Sequence, residues 1–265
     1  MSERVLVAVA HGSADPRAAE AIGELMRLVA ARAAERRLAV NDLRVAYLGH
    51  AAPSVPQVMG MFGPDARVTV LPLLLTAAYH SKTDIPRVLA RAGFPRVRYG
   101  EPLGPHPLLL RALERRLPPA AFQNPAEVGV VLAAAGSSDP EANATIARLA
   151  AQWQADAGWF AVRPAYASAS GPDPATAVTR LREAGARRVV VASYLLAPGR
   201  FADRIRDASL AAGAAAVSPA LLALPPVAAG GAAAGGAAAG GAAAEVADVV
   251  LDRYADAGTR ERAAA

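Results

Sequence analysis

The sequence predicts an α/β protein of two lobes, each a parallel four-stranded sheet flanked by helices. Three observations carry this prediction. Apolar runs of strand length alternate with stretches of helical period, the pattern that right-handed parallel crossovers produce. The pattern then restarts: Gly12-Ser13 and Asp15-Pro16 return 124 residues on as Gly136-Ser137 and Asp139-Pro140, the mark of an internal duplication. Finally, 54% of the residues are apolar but only 5% are aromatic, so the core must be Val, Leu and Ala, as in helix-covered parallel sheets.

In order, residues 4–10 read as a buried strand ending at His11. Asp15-Pro16 then opens a helix from Ala18 to about Arg36, because Asp caps and Pro fits the first turn. Leu43–Leu48 is a second strand. Pro53-Ser54 opens a short helix to about Met61. Val68–Leu75 is the third and most apolar strand, followed by His80. Thr83-Asp84-Ile85-Pro86 starts a helix to about Ala92, with Asp84 as its expected cap. Arg96–Tyr99 is a fourth strand, and Gly104-Pro105-His106-Pro107 opens a helix to about Leu117, where capping is the favoured role for His106. Pro118-Pro119 marks a boundary, so the expected domains are 1–118 and 125–258. Residues 228–244, a Gly-Gly-Ala-Ala-Ala repeat, have nothing large to bury and are expected to form a flexible insertion. Glu245 to about Ala257 resumes as a helix, and Thr259–Ala265 is expected to fray.

Composition narrows the function. There are no cysteines, which excludes disulfides, thiolate-held zinc and iron–sulfur clusters. No apolar run is long enough for a membrane span, and the start has no signal-peptide layout, so a cytoplasmic location is expected. A net charge of +5 and a pI near 10.1 favour acidic partners. Nucleic acid is not expected, since no helix-turn-helix, aromatic platform or basic block is present. A small polycarboxylate would use the same charge. There is neither Gly-x-Gly-x-x-Gly nor a Walker loop, which argues against a nucleotide enzyme.

The chemistry concentrates in the first repeat, which holds all four histidines, His11, His50, His80 and His106. His11 and His80 follow strands at the sheet end where open α/β folds bind ligands. In the second repeat His11 becomes Ala135, and His80 becomes Arg200 or Phe201 according to where a gap is placed. Imidazole binds Fe, Co, Ni or Zn and can also accept a proton near neutral pH. The Gly12-Ser13 turn suits an anion at a helix start, but the duplicate keeps it, which favours a structural role. Lys82 and Arg87 lie near His80 in sequence and could meet ligand carboxylates.

Taken together, His11-Gly-Ser-x-Asp-Pro16, Tyr47-Leu48-x-x-Ala51-x-Pro53-Ser54, Pro72-Leu-Leu-Leu75 with His80-x-x-x-Asp84-Ile-Pro86, and Pro102-Leu-Gly-Pro-His106-Pro107 resemble the sirohydrochlorin chelatase family. These enzymes insert cobalt or iron in corrin and siroheme synthesis. The second half resembles the degenerate copy of two-domain members. The resemblance implies a chelatase fold of two Rossmann-like lobes and ATP-independent insertion of Co2+ or Fe2+ into sirohydrochlorin. It implies that His11 and His80 bind the incoming metal and help remove pyrrole protons. Ser13 and Lys82 are the expected substrate contacts. No permanently bound cofactor is expected, because the metal is a substrate, and one duplicated chain is expected to act as a monomer. Many members carry a glutamate where this chain has Gly49, and His50, one residue on, could replace it as a metal ligand. The alternative is a non-catalytic carrier of metal or tetrapyrrole.

Overall fold

The computed structural model describes residues 4–63, 66–77, 80–94, 97–224 and 236–264. The chain forms two parallel four-stranded sheets, with strand orders β2-β1-β3-β4 and β6-β5-β7-β8. In the first sheet β1 (Arg4–Ala10) lies between β2 (Asp42–Tyr47) and β3 (Arg67–Pro72), and β4 (Arg98–Tyr99) forms the edge. β1 is apolar after Arg4, and Val5 to Val9 are fully buried, as expected of a strand covered on both faces. The core around it is Val7, Val9, Ala46, Val58, Val70, Ile85 and Leu89. The second sheet repeats this plan with β5 (Val128–Ala134), β6 (Ala161–Tyr166), β7 (Arg188–Tyr194) and β8 (Ala216–Val217).

The helices follow from local signals. α1 (Pro16–Glu35) begins where the Asp15 side chain accepts from the Arg17 N–H, and α5 (Pro140–Ala157) repeats this with Asp139 and the Glu141 N–H. α2 (Val55–Met59) opens with a reciprocal cap between Ser54 and Gln57. α6 (Pro174–Glu183) and α7 (Arg200–Ala211) cover the second sheet.

Several expectations are corrected. β3 stops at Pro72, three residues early, because its partner β1 ends: the Leu73 N–H makes the last bond, to the Val9 carbonyl at 2.8 Å. The helix after β3 is preceded by a π-helical turn, His80–Asp84, which runs directly into α3 (Ile85–Arg91). Asp84 therefore has helical φ −69° and ψ −50° and makes no capping bond. The expected flexible insertion 228–244 is helical over its described part, because α8 runs from Gly236 to Ala264. Alanine is the strongest helix former, and the run continues into the buried Val246–Tyr254 face. Residues 228–235 lie outside the described residues. The same helix carries the expected frayed end.

The compact units do not divide at the repeat boundary. One comprises Met1–Leu108 with Ala244–Ala265, the other Leu109–Ala243. α4 (Pro107–Arg116) follows β4, yet its Glu114 accepts from the Trp153 indole N–H at 2.9 Å, and its Arg116 donates to the Leu221 carbonyl at 2.6 Å. Conversely, α8 joins the first unit. Asp248 accepts two bonds of 2.6 Å from Arg32 and one of 2.7 Å from Arg36, and the Tyr254 hydroxyl donates to the Ala39 carbonyl at 3.0 Å.

Candidate functional site

In a sheet of order 2-1-3-4, successive crossovers leave β1 in opposite directions, and the crevice beyond the carboxyl ends of β1 and β3 is the expected ligand site. Three histidines follow the three adjacent strands. His11 follows β1, His50 follows β2, and His80 begins the π turn after β3.

The β1–β2 ladder continues past both strands. The Leu48 N–H bonds to the Ala10 carbonyl at 3.0 Å, and the Gly49 N–H to the His11 carbonyl at 3.1 Å. Gly12 has φ +89°, and a Cβ there would lie 1.7 Å from the Gly49 oxygen. Only glycine allows this approach, and it closes the two loops on each other. The result is a pair of exposed imidazoles, His11 and His50, with ring centroids 6.4 Å apart and planes inclined by 19°. His50 holds φ +59°, a region uncommon for residues other than glycine. The His11 Nδ1 lies 3.2 Å from the Gly12 carbonyl. That bond, when the nitrogen is protonated, leaves Nε2 as the acceptor.

The second unit has the same loops without the imidazoles. The Ala167 and Ser168 N–H groups bond to the Ala134 and Ala135 carbonyls at 2.9 and 3.0 Å. Gly136 has φ +86°, and its absent Cβ would lie 2.0 Å from the Ser168 oxygen. Ala169 has φ +59°, matching His50. Ala135 and Ala169 therefore stand where His11 and His50 stand. The backbone at position 50 belongs to the fold, and both imidazoles are additions to it. Position 80 corresponds to Phe201 by strand register and to Arg200 by helix start; neither is an imidazole. The His50–Ala169 equivalence escaped the sequence reading, although the Tyr47–Tyr166 match extended by three residues reaches it.

The remaining candidates fall as follows. The Ser13 hydroxyl accepts from the Asp15 N–H at 3.0 Å, and Ser137 does the same for Asp139, so the turn itself uses both serines. Lys82 lies exposed on the π turn. The His80 backbone is described, whereas its side chain lies outside the described residues. His106 caps α4, its Nδ1 accepting from the Leu108 N–H at 3.2 Å. Burial first, then the nearby Arg253 charge, hold its pKa below the ordinary value, against the opposing pull of Asp252 and Asp256. At Gly49 a Cβ would meet nothing within 4 Å. Among the described residues no three His, Cys, Asp or Glu side chains gather as a metal cluster, and no helix is long and apolar enough to cross a membrane.

Fold and site together define a duplicated parallel α/β protein in which one repeat carries strand-end imidazoles and the other carries alanine at the places of His11 and His50. The chain belongs to the CbiX family, whose model matches residues 5–120 and again 129–257. It is 30% identical over 147 residues to the sirohydrochlorin cobaltochelatase of Priestia megaterium, a stretch covering 53% of this chain and 48% of that protein. It is 26% identical over 179 residues to the sirohydrochlorin ferrochelatase of the same organism, covering 65% and 67%. The chain thus matches about half the length of the first of these relatives. SirB from Bacillus subtilis, solved with Fe3+, superposes with a TM-score of 0.72 at 21% identity, over 98% of each chain; this likeness establishes the fold.

Proposed function

We propose that the protein is a chelatase that inserts Co2+ or Fe2+ into sirohydrochlorin without ATP, with His11 and His80 as the metal and proton-transfer residues. One observation carries the reading. The strand-end backbone is the same in both units, and His11 and His50 occur only in the first. A fold that keeps its turns with alanine at both places does not need the imidazoles for folding, so their use is chemical. Relatives in the family bear the names of cobalt- and iron-inserting chelatases of sirohydrochlorin, which supports this substrate and these metals.

The chemistry fits few and open ligands. Insertion requires a metal held loosely enough to leave, and imidazole nitrogens without thiolate partners meet that need. Two pyrrole protons must depart as the metal enters, and a neutral imidazole can take a proton near pH 7. Ser13 and Lys82 are proposed contacts to the substrate's carboxylates, and the basic balance of the chain serves the same polyanion. The proposal includes a monomer acting in the cytoplasm.

The carrier reading is favoured by Gly49, where many family members have a carboxylate. Anaerobic mixing of the protein with sirohydrochlorin and Co2+ or Fe2+ separates the two. Faster change of the visible spectrum than in a protein-free control supports the chelatase. Tight binding of metal or tetrapyrrole with no acceleration supports the carrier.

A further inference from the structure

The geometry points to Tyr99 as a positioning residue for His80, an inference that rests on the proposal that His80 handles the metal. Tyr99 ends β4, in register with Val70 of β3. Its hydroxyl donates to the Ser81 carbonyl at 2.7 Å. Ser81 is buried and is the second residue of the π-helical turn that His80 opens. Burial, with the Glu101 charge adding to it, pushes the Tyr99 pKa far up, so the group remains a donor at any working pH.

The sequence explains why a tether belongs here. In a π-helical pattern the carbonyl of residue i faces the N–H five residues on. For Ser81 that residue is Pro86, which has no N–H. The Tyr99 hydroxyl reaches this carbonyl from the edge strand and ties the turn to the sheet.

The second unit shows the fold without the device. Val191 and Val217 hold the register places of Val70 and Tyr99. There α7 starts at Arg200 with no preceding π turn. The tyrosine, the π turn and the histidine occur together in one repeat and are absent together from the other. π-helical turns are rare and gather at functional sites, which fits a turn kept to fix the backbone at His80.

The test uses the full chain and steady-state insertion kinetics. Tyr99→Phe keeps the ring and removes the donor. It is expected to raise the KM for Co2+ about tenfold, the scale of one buried carbonyl losing a bond, while the KM for sirohydrochlorin stays unchanged. Pro86→Ala restores an N–H five residues from Ser81. In that background Tyr99→Phe is expected to cost only about twofold, a rescue that general destabilisation would not produce. An unchanged metal KM in Tyr99→Phe, or an equal rise in both KM values that Pro86→Ala does not relieve, overturns the positioning role. Normal turnover in His80→Ala overturns the reading beneath it. An inactive His80→Ala beside an unaltered Tyr99→Phe removes the tether alone.

Discussion

Replacing Gly12 by alanine tests the architecture of the site most severely. The new Cβ would stand 1.7 Å from the Gly49 carbonyl oxygen, against the 3.0 Å that real Cβ atoms respect. It would also have to accept φ +89°, which costs an L-residue about 1–2 kcal/mol. Relieving the overlap means moving backbone that is tied back by the Gly49 N–H bond to the His11 carbonyl. Overpacking of this kind costs about 1–3 kcal/mol, and the weakened bond about 1 kcal/mol more. The expected loss is therefore about 3–6 kcal/mol, read as a lower urea midpoint. Gly136→Ala, with its Cβ 2.0 Å from the Ser168 oxygen, should lose a similar amount. Gly23→Ala is the control: it lies inside α1 with open space around it and should gain about 0.5–1 kcal/mol. Gly12→Ala should also lower insertion per folded molecule, because it parts the His50 loop from His11. A Gly12→Ala stability within about 1 kcal/mol of the parent would refute the reasoning.

Other outcomes follow from the same geometry. Gly49→Glu has open space at its Cβ and is expected to tighten Co2+ binding, by titration calorimetry, about tenfold or more by adding a carboxylate beside two imidazoles; unchanged affinity would separate position 49 from the metal. His50→Ala should weaken metal binding and slow turnover without lowering the thermal midpoint, since Ala169 occupies the same backbone place. Asp248→Ala removes the acceptor shared by Arg32 and Arg36; with these arginines about a third exposed, the loss should be about 1–2 kcal/mol in urea unfolding. His106 has a folded pKa below its ordinary 6.5, so the unfolded chain binds the extra proton first. Its stabilising contribution is present above about pH 6.5 and is lost as pH falls from there towards the lower folded value. His106→Asn, which keeps an acceptor for the Leu108 N–H, should flatten that part of the stability–pH curve.

Much of this was legible in the sequence because it is local. The Asp-Pro helix starts, the apolar strands and the 124-residue repeat each leave a contiguous trace, and all appear in the structure. The place of His11 at a strand end was legible because its strand and turn are copied in the second half, where alanine stands instead. Its proximity to His50 was not, because it depends on the Gly12–Gly49 contact between two loops, which neither loop reveals alone. The end of β3 at Pro72 reflects the length of its neighbour, not its own apolar run. The π turn was hidden for a similar reason: Thr83-Asp84-Ile85-Pro86 reads as an ordinary capped helix start, whereas the backbone is already helical at Asp84 and is tied to β4 by the Tyr99 hydroxyl. The placement of α4 and α8 in units other than those of their own repeats is a long-range choice made by pairs such as Glu114–Trp153 and Arg32–Asp248. The alanine–glycine run hid its helix because composition without large side chains reads as linker.

The central claim is that the first repeat's histidines perform the insertion. The most direct measurement is the anaerobic rate of Co2+ and Fe2+ insertion into sirohydrochlorin by the parent chain and by His11→Ala/His80→Ala, followed in the visible spectrum at matched folded concentrations. Acceleration by the parent that falls to the protein-free rate in the double variant is the predicted result. Equal acceleration by both proteins would contradict the claim.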